Sequence, residues 1–334
     1  MSANIEVSEI LKKPGAMYNW ASKVTYRREL NDEESEISKV VDAWAKEIGR
    51  SGYDPKHEIA NYIVKTIQPE VYDKPDALLS LIFNRGAVGE FDDFEIDEIP
   101  GNTLKPYEAA HGGNVPKSYL DIRKFQPRWF HKQVETEVRY SELRRGGYRS
   151  IANLTTFAKE SLLNSEISEV FNDIDDGITG GDQVIANGGD TLTKVALDKL
   201  ALYVIDRVDS GDYPLAFGLN KYAQAIANMA GYSSYMSDNM KEEFNRYGLI
   251  RDYNGLSISG ISGAKKTATG ELLIPDKRIF GVAGKIGELD TRGEIRVYET
   301  PDNNQEKMNL KITGFEFGYA ITHPEKAAKI TMNA

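Results

Sequence analysis

Apolar residues in the first 85 positions recur at helical spacing between polar breaks. Asn31 followed by Glu34 has the capping-box pattern of a helix start. The stripe behind this cap predicts an amphipathic helix, and it comprises Ile37, Val40, Val41, Trp44 and Ile48. Two shorter stripes follow within 59–67 and 78–82. The pattern is typical of a small helical subdomain, and it fits equally an arm that packs on neighbouring molecules.

Alternating positions replace the helical spacing after residue 85. Between 90 and 98, Phe91, Phe94 and Ile96 stand among six acidic residues and no basic one. A second extended run covers 119–139, and the segment between the two runs is rich in glycine and proline. Loops of roughly 20 residues are uncommon in compact domains and are usually functional or disordered. We therefore predict a long hairpin whose tip is ordered against another surface.

The predicted hairpin is polarised in charge. Its outgoing strand is acidic, whereas 117–149 contains nine basic and four acidic residues. Opposite charges on facing strands can pair inside one hairpin, and they can equally pair between two copies and fix their orientation. The plain alternative is a solvated charged hairpin, in which each exposed pair contributes about 0–1 kcal/mol.

The strongest helical pattern covers 148–178. It predicts a helix of about 27 residues, or roughly 40 Å at 1.5 Å per residue, compared with a mean of about 11–12 residues in globular proteins. The apolar stripe changes position after Leu163 instead of repeating as heptads, which favours the spine of a domain over a coiled coil.

The remainder of the chain mixes segments with helical spacing and segments with the two-residue alternation of strands. A glycine-rich linker over 177–190 leads into a helix that Asp190 caps. A short buried strand at 214–217 precedes a predicted helix over 220–230, and strands dominate after that. The last long strand runs through Leu310 and Ile321, and Gly314 at its change of phase predicts a bulge.

Composition narrows the function classes. The chain has 334 residues, of which 40% are hydrophobic and 28% charged, and it has no cysteine. A disulfide scaffold and a thiolate metal site are therefore excluded, and the lack of cysteine fits a reducing cytoplasm. The formal charge of −10 argues against a dedicated nucleic-acid binder. No apolar run approaches the roughly 18 residues that a membrane span needs, so no membrane association is expected.

Catalytic and cofactor motifs fail when their spacing is tested. The acidic run ending at Gly177 has Ile174 and Gln183 where a calcium loop needs ligands. The four histidines are scattered, the glycines near 281–287 lack the dinucleotide spacing, and no nucleophile elbow is present. We predict a chain that is not an enzyme and has no cofactor, metal or catalytic residue.

Two local segments and the order of parts carry a family resemblance. The segment 99–107, Ile-Pro-Gly-Asn-Thr-Leu-Lys-Pro-Tyr, with the basic run after it, is similar to the extended loop of lambda-type coat proteins. The ending 317–330 resembles the terminal strand of many phage coats. The chain therefore resembles the major capsid proteins of tailed bacteriophages, which have the Hong Kong 97-type fold. The resemblance covers about 86–334.

This resemblance implies an α+β fold with an N-terminal arm, an extended β-hairpin loop, a long spine helix, and peripheral and axial domains. The corresponding boundaries are 1–85 for the partly helical N-terminal arm and 86–147 for the extended loop. The peripheral domain covers 148–190 and 319–334, and the axial domain covers 191–318. The first 85 residues are more helical than a simple extended arm, which departs from the family pattern.

The resemblance also implies a function. The chain is expected to assemble with itself into hexamers and pentamers of an icosahedral shell around double-stranded phage DNA, without sequence-specific binding. Portal, scaffold and decoration proteins are the further partners it implies, and assembly in the host bacterial cytoplasm precedes a final location in the virion capsid. The expected subunit-interface residues are Lys105, Tyr107, Arg123, Lys124, Arg128, Trp129, Arg144 and Arg145.

Two other functions stay open on the sequence alone. The first keeps the fold and changes the role, as an encapsulin-type shell protein of a bacterial compartment that holds cargo enzymes. The second, from a different class, is an enzyme with an unrecognised acidic site. Uniform particles tens of nanometres wide favour a shell protein, whereas dispersed small oligomers favour the enzyme.

Deletion of residues 101–116 tests the role of the predicted hairpin tip. We expect a folded, soluble subunit that no longer forms shells, because the tip supplies contact with a neighbouring copy. Circular dichroism checks folding and negative-stain electron microscopy checks assembly. Shells of normal size from the deleted chain would contradict the prediction.

Overall fold

The computed structural model describes residues 14–51, 59–72, 77–89, 95–98, 104–108, 111, 114, 116–209, 211–226, 229, 242, 251–263, 266, 267, 269–302 and 304–332. The described chain is a mixed α+β fold. Its helices are α1 (Pro14–Thr25), α2 (Asp32–Ser51), α3 (Ile59–Tyr72), α4 (Ala77–Ile82), α5 (Tyr140–Gly146), α6 (Tyr148–Gly177), α7 (Lys194–Ile205) and α8 (Asn220–Ala225).

The strands form two large sheets and one small ribbon. The ribbon pairs β2 (Ile96–Glu98) with β3 (Arg123–Phe125). The five-stranded sheet contains β1 (Phe83–Val88), β4 (Arg128–Arg139), β10 (Gly287–Arg292), β11 (Arg296–Asp302) and β12 (Lys307–Ile321). The six-stranded sheet has the order β5 (Val184–Ala186), β13 (Ala327–Thr331), β9 (Arg278–Ala283), β6 (Pro214–Leu219), β8 (Leu256–Ile261) and β7 (Asp252–Tyr253).

Strand β12 is the centre of the five-stranded sheet. One of its edges pairs along most of its length with β4, antiparallel, from Lys307 opposite Arg139 to Tyr319 opposite Arg128. Its other edge pairs first with β11 and then with β10. A register shift between Ile312 and Phe315, with φ of +87° at Gly314, confirms the predicted bulge.

The 30-residue helix α6 confirms the long helix predicted from 148–178. Helices α1, α2 and α3 pack against it, so the apolar stripes of the N-terminal region are buried within the chain itself. Trp20, Trp44 and Tyr62 belong to this main core. The capping box is also confirmed, because the backbone N–H of Glu34 donates to the Asn31 side chain at 2.8 Å and the N–H of Asn31 donates to Glu34 at 2.9 Å.

Each face of the six-stranded sheet belongs to a different core. Along β9, Phe280 and Val282 join the main core beneath α6, whereas Ile279 and Ala283 join a second core around α7. This alternation follows from the two-residue period of a strand. Phe171 of α6 lies 5.2 Å from Phe217 and 6.2 Å from Phe280, measured between ring centroids. These three rings therefore connect the long helix to the second sheet.

Two buried ion pairs fix α6 to the N-terminal half of the chain. Arg85 of β1 donates to Glu166 at 2.7 Å, and Lys159 donates to Glu70 of α3 at 3.0 Å. All four side chains are largely buried. Because removing one partner of such a pair leaves an uncompensated buried charge, these pairs specify how the helix is seated.

The described part of the predicted hairpin is a short ribbon in which β2 pairs with β3. Residues 90–94 and much of the tip lie outside the described residues. In the described part, the second extended run divides at Gln126 and Pro127. Its first segment pairs with β2, and the rest is β4, which pairs with β12. Apolar side chains explain the division, because Phe130, Val134 and Val138 of β4 pack into the main core.

The close approach of α7 to β9 gives a stability prediction. A Cβ at Gly281 would lie 2.8 Å from side-chain atoms of both Leu200 and Val204. We expect Gly281→Ala to lower the free energy of unfolding by about 1–3 kcal/mol through overpacking. The urea midpoint, with the m value unchanged, measures this loss.

Gly189→Ala is the matched control, because a Cβ there meets nothing within 4 Å. Its free energy of unfolding should change by less than about 0.5 kcal/mol. Equal effects of the two substitutions would contradict the packing explanation.

Candidate functional site

The segment that precedes β4, called the arm below, exposes apolar side chains. Its described residues are 95–98, 104–108, 111, 114 and 116–125. The large exposed apolar residues within it are Leu104, Tyr107, Tyr119, Leu120 and Ile122, and Tyr119 is the most exposed of them at 76%. Exposed apolar residues that occur singly are ordinary, whereas a concentration within one segment is typical of an interaction surface.

The eight predicted interface residues fall into four pairs. Lys105 and Tyr107 are exposed in the outer arm, and Arg123 and Lys124 are exposed on β3. Arg128 and Trp129 begin β4, at the root of the arm. Arg144 and Arg145 lie on α5, beyond the far end of β4. Since β4 has 12 residues, about 35–40 Å of strand separates the last pair from the root.

One pair of opposite charges in the arm forms within the chain. Lys124 donates to Glu95 at 2.6 Å. This hydrogen bond and the positive charge of Lys124 hold the pKa of Glu95 below its usual range. Both groups are exposed, so the pair orients the ribbon more than it stabilises the fold.

The face of the root that looks toward α6 is aromatic. The Phe130 ring stacks on Phe317 at 5.3 Å and on Tyr319 at 5.5 Å, between centroids. The Arg128 guanidinium lies 4.7 Å from the Phe130 centroid. The Tyr319 hydroxyl donates to Asp173 of α6, and burial together with this carboxylate raises the pKa of Tyr319.

The opposite face of the root carries a chain of polar contacts. Trp129 lies against Gly318, where a Cβ would come within 2.7 Å of the indole ring. The Arg292 guanidinium lies 4.4 Å from the Trp129 centroid and pairs with Glu316 at 2.8 Å. Glu316 also contacts His131 Nδ1 at 3.0 Å. Burial works to raise the pKa of Glu316, but hydrogen bonds with Arg292 and His131 outweigh it and lower that pKa.

Asp290 lies in the same cross-strand row as Trp129. The row runs through Gly86 of β1, Asp290 of β10, Gly318 of β12 and Trp129 of β4. The Asp290 side chain is buried, and its Oδ2 atom has no hydrogen-bond partner among the described residues. Burial, followed by the nearby charge of Glu288, raises the pKa of Asp290 to about 6.

Sequence reasoning missed several of these residues. Leu120 interrupts the apolar–polar alternation between Tyr119 and Ile122. Because adjacent residues of an extended chain point to opposite faces, this irregularity was a sign that both faces of the segment carry apolar side chains. Gly318 inside an aromatic strand was a second sign, because glycine there often marks close approach of another group. Nothing in the sequence pattern links Arg292 to Trp129, which lies 163 positions earlier.

No group of three or more histidine or acidic residues among the described residues is placed to hold a metal ion. A search of the same residues found no helix of the length and apolar character that crossing a bilayer requires. Two open grooves, of about 560 Å³ beside α3 and about 420 Å³ beside α6, are lined by residues such as Pro69, Tyr72, Ser165 and Ser168.

The fold is similar to those of solved structures from phages and from the capsid of a GTA particle. The chain aligns with a structure from Gordonia phage Cozz at a TM-score of 0.58 and 11% identity, covering 78% of this chain and 87% of that chain. The capsid of a native GTA particle gives a TM-score of 0.56 at 10% identity, covering 77% and 90%. A structure from Microbacterium phage Oxtober96 gives 0.54 at 12% identity, covering 78% and 92%.

These comparisons confirm, at the level of the fold, the resemblance to phage capsid proteins. No protein-family model matches the chain, and no curated protein matches it. At identities near 11%, the correspondence is one of architecture and leaves individual residues unassigned.

The buried Asp290 carboxyl predicts a specific pH dependence. Because its folded pKa of about 6 exceeds an unfolded value near 3.9, the folded state binds this proton more tightly. Its contribution to stability is therefore present below about pH 4 and is lost as the pH rises through about 6. We expect Asp290→Asn to raise the free energy of unfolding at pH 7.5 relative to wild type by about 3 kcal/mol, on the scale of 1.36 kcal/mol per pKa unit.

Denaturant unfolding at pH 4 and at pH 7.5 checks this expectation, since the gain should appear only at the higher pH. Asp182→Asn is the control, because it makes the same chemical change at an exposed position. An equal effect of Asp290→Asn at both pH values would contradict the assignment.

Proposed function

We propose that this chain is a major capsid protein that assembles with itself into hexamers and pentamers of an icosahedral shell around double-stranded phage DNA. The observation that carries the proposal is the arm, which concentrates exposed apolar residues outside the two cores of a capsid-type fold. A subunit of this kind buries its apolar core residues within its own fold. The exposed apolar residues of the arm remain available to bind another copy. The chain is then a structural protein and not an enzyme.

The division of the chain follows the Hong Kong 97-type architecture in this proposal. Residues 1–85 form the N-terminal arm, whose described helices pack on α6, and 86–147 form the extended loop. The peripheral domain comprises 148–190 and 319–334, with α6 as its spine. The axial domain comprises 191–318.

In a head-to-tail contact, one surface of a subunit binds a different surface of the next subunit. Such contacts close into a ring when the rotations between successive subunits add up to a full turn. Obligate interfaces of this kind typically bury about 2,000 Å² or more. A thin arm supplies such area with few residues, because both of its faces are accessible. Each large apolar side chain that becomes buried contributes about 1.5–3 kcal/mol. Repetition around a ring multiplies this contribution across the shell.

The proposed subunit-interface residues are Lys105, Tyr107, Arg123, Lys124, Arg128, Trp129, Arg144 and Arg145. The first three are exposed and are free to reach a second copy. Arg128 and Arg144 also have partners in their own chain, at 3.8 Å from Asp173 and 2.9 Å from Glu306. For these two we propose a shared role, in which they orient the chain and contact the neighbour.

The charge balance supports a container more than a DNA-binding protein. A formal charge of −10 repels phosphate at long range, so the shell encloses DNA without sequence-specific contacts. Portal, scaffold and decoration proteins are the proposed further partners. The proposed site of assembly is the host bacterial cytoplasm, and the proposed final location is the virion capsid.

Electron microscopy of the purified protein tests the proposal directly. We expect uniform closed particles tens of nanometres wide, and dispersed small oligomers under every assembly condition would overturn it. Nuclease-protected DNA in particles isolated from producing cells supports the phage role. An enclosed protein cargo in place of DNA would support a bacterial compartment instead.

The apolar arm residues give a quantitative prediction. We expect the double variant Tyr119→Ser, Ile122→Ser to fold normally and to need at least a tenfold higher protein concentration to assemble. The reason is that a loss of only about 1.4 kcal/mol per contact corresponds to a factor of ten in association. Light scattering across a concentration series measures the critical concentration.

Tyr298→Ser is the matched control, because Tyr298 is also exposed but lies on β11, away from the arm. It removes one exposed aromatic side chain without touching the arm. An arm variant that assembles at the wild-type concentration would exclude these residues from the interface.

A further inference from the structure

We propose that the polar contacts at the root of the arm form a clamp that sets the direction in which the arm leaves the body, and thereby the curvature of the assembled shell. The clamp consists of Trp129, His131, Arg292, Thr313 and Glu316, with Gly318 beneath the indole. This inference rests on the proposed function for its effect on shells. Its effect on the direction of the arm stands independently.

The clamp joins three strands through contacts on one face of the sheet. Arg292 of β10, Glu316 of β12 and His131 of β4 occupy a single cross-strand row. Trp129 stands two residues before His131 and on the same face. The Arg292 guanidinium contacts the Trp129 ring and pairs with Glu316 at once. The start of β4, at the root of the arm, is therefore held to β12 at the centre of the sheet.

The clamp also reaches the bulge in β12. Thr313 Oγ1 lies 3.1 Å from His131 Nε2, next to Gly314 with its φ of +87°. Bulges bend a strand and increase its twist. The contact between Thr313 and His131 therefore couples the bend of β12 to the position of β4.

Small changes at this point are amplified along the arm. Only Gln126 and Pro127 separate the ribbon strand β3 from β4, so a rotation of the β4 start carries the ribbon with it. The ten residues 116–125 reach about 30 Å if extended at roughly 3.3 Å per residue. A rotation of about 10° at the root would then move the far end by roughly 5 Å.

The two faces of the root have different tasks. The face toward α6 is an aromatic stack of Phe130, Phe317 and Tyr319, which secures β4 to the fold. The clamp face is partly open to solvent, with His131 at 41% and Glu316 at 27% side-chain exposure. Trp129, His131, Arg292 and Glu316 belong to neither hydrophobic core, so the contacts of the clamp can change without unfolding the subunit.

Arginine at 292 suits this position for a geometric reason. A planar guanidinium can stack on an indole and pair with a carboxylate at the same time, whereas a lysine ammonium acts as a point charge. Arg292→Lys is thus a sharp probe of the clamp, since it retains the charge and removes the planar contact. Trp129→Phe retains an aromatic face, and Trp129→Leu removes it.

The absence of cysteine from the chain permits a direct measurement of the arm's direction. Spin labels are attached at Tyr119→Cys on the arm and at Tyr298→Cys on β11, and the distance between the two labels is measured. Dilution with unlabelled chain ensures that both labels belong to the same subunit. Glu316→Gln and Arg292→Lys test the clamp. Glu137→Gln is the matched control, because Glu137 pairs with Lys307 at 2.5 Å on the same two strands, far from the root.

We expect Glu316→Gln and Arg292→Lys to shift the label distance by roughly 5 Å or to broaden its distribution, with melting temperatures close to wild type. Glu137→Gln should leave the distance unchanged. Trp129→Leu should also shift or broaden the label distance, whereas Trp129→Phe should give a distance close to that of wild type. An unchanged distance in all clamp variants would overturn the clamp, and so would an identical shift in the Glu137→Gln control.

Particle diameters then test the effect on curvature. We expect clamp variants to form shells of altered or mixed diameter, and shells identical to wild type despite a shifted arm would overturn the link to curvature. A wild-type chain that forms no particles would overturn the proposed function, whereas the label distance would still decide the clamp. A clamp variant that melts far below wild type would show that the contacts serve folding, and would overturn the proposal.

Discussion

The seating of helix α6 between two sheets is the constraint on which the rest of the fold depends. Its apolar residues face both the five-stranded sheet and, through Phe171, the rings of Phe217 and Phe280. Buried charges then limit how it can be placed, because Glu166 and Lys159 each need one specific partner. A rotation of the helix would leave these charges unpaired at a cost of several kcal/mol.

With α6 in place, the root of the arm is determined. Strand β4 lies on β12, and Phe130, Lys132 and Tyr319 turn toward the helix, where Lys132 pairs with Glu169 at 2.6 Å. The period of two then requires Trp129 and His131 to point to the other face. The same alternation that completes the core thus provides the contacts at the base of the arm.

Local elements followed from the sequence, whereas pairings across long separations did not. The Asn31 cap, the long helix and the bulge at Gly314 each depend on neighbouring residues, so periodicity and glycine placement were sufficient. The partner of β4 is β12, about 170 positions later, and no local pattern specifies that pairing. The predicted interface residues are basic apart from Tyr107 and Trp129. The exposure of Tyr119, Leu120 and Ile122 is visible only in the structure, because burial is a property of the whole fold.

In the proposed role, the arm has to bind another copy of this chain and avoid indiscriminate strand pairing. Exposed edges of extended chain invite association, and charged side chains along them are a common protection. The Lys124–Glu95 pair places both signs of charge on the ribbon, next to the apolar Tyr119 and Ile122. A partner must therefore match charge as well as cover apolar surface. This combination favours one orientation over many, and a closed shell needs that selectivity more than it needs high affinity at any single contact.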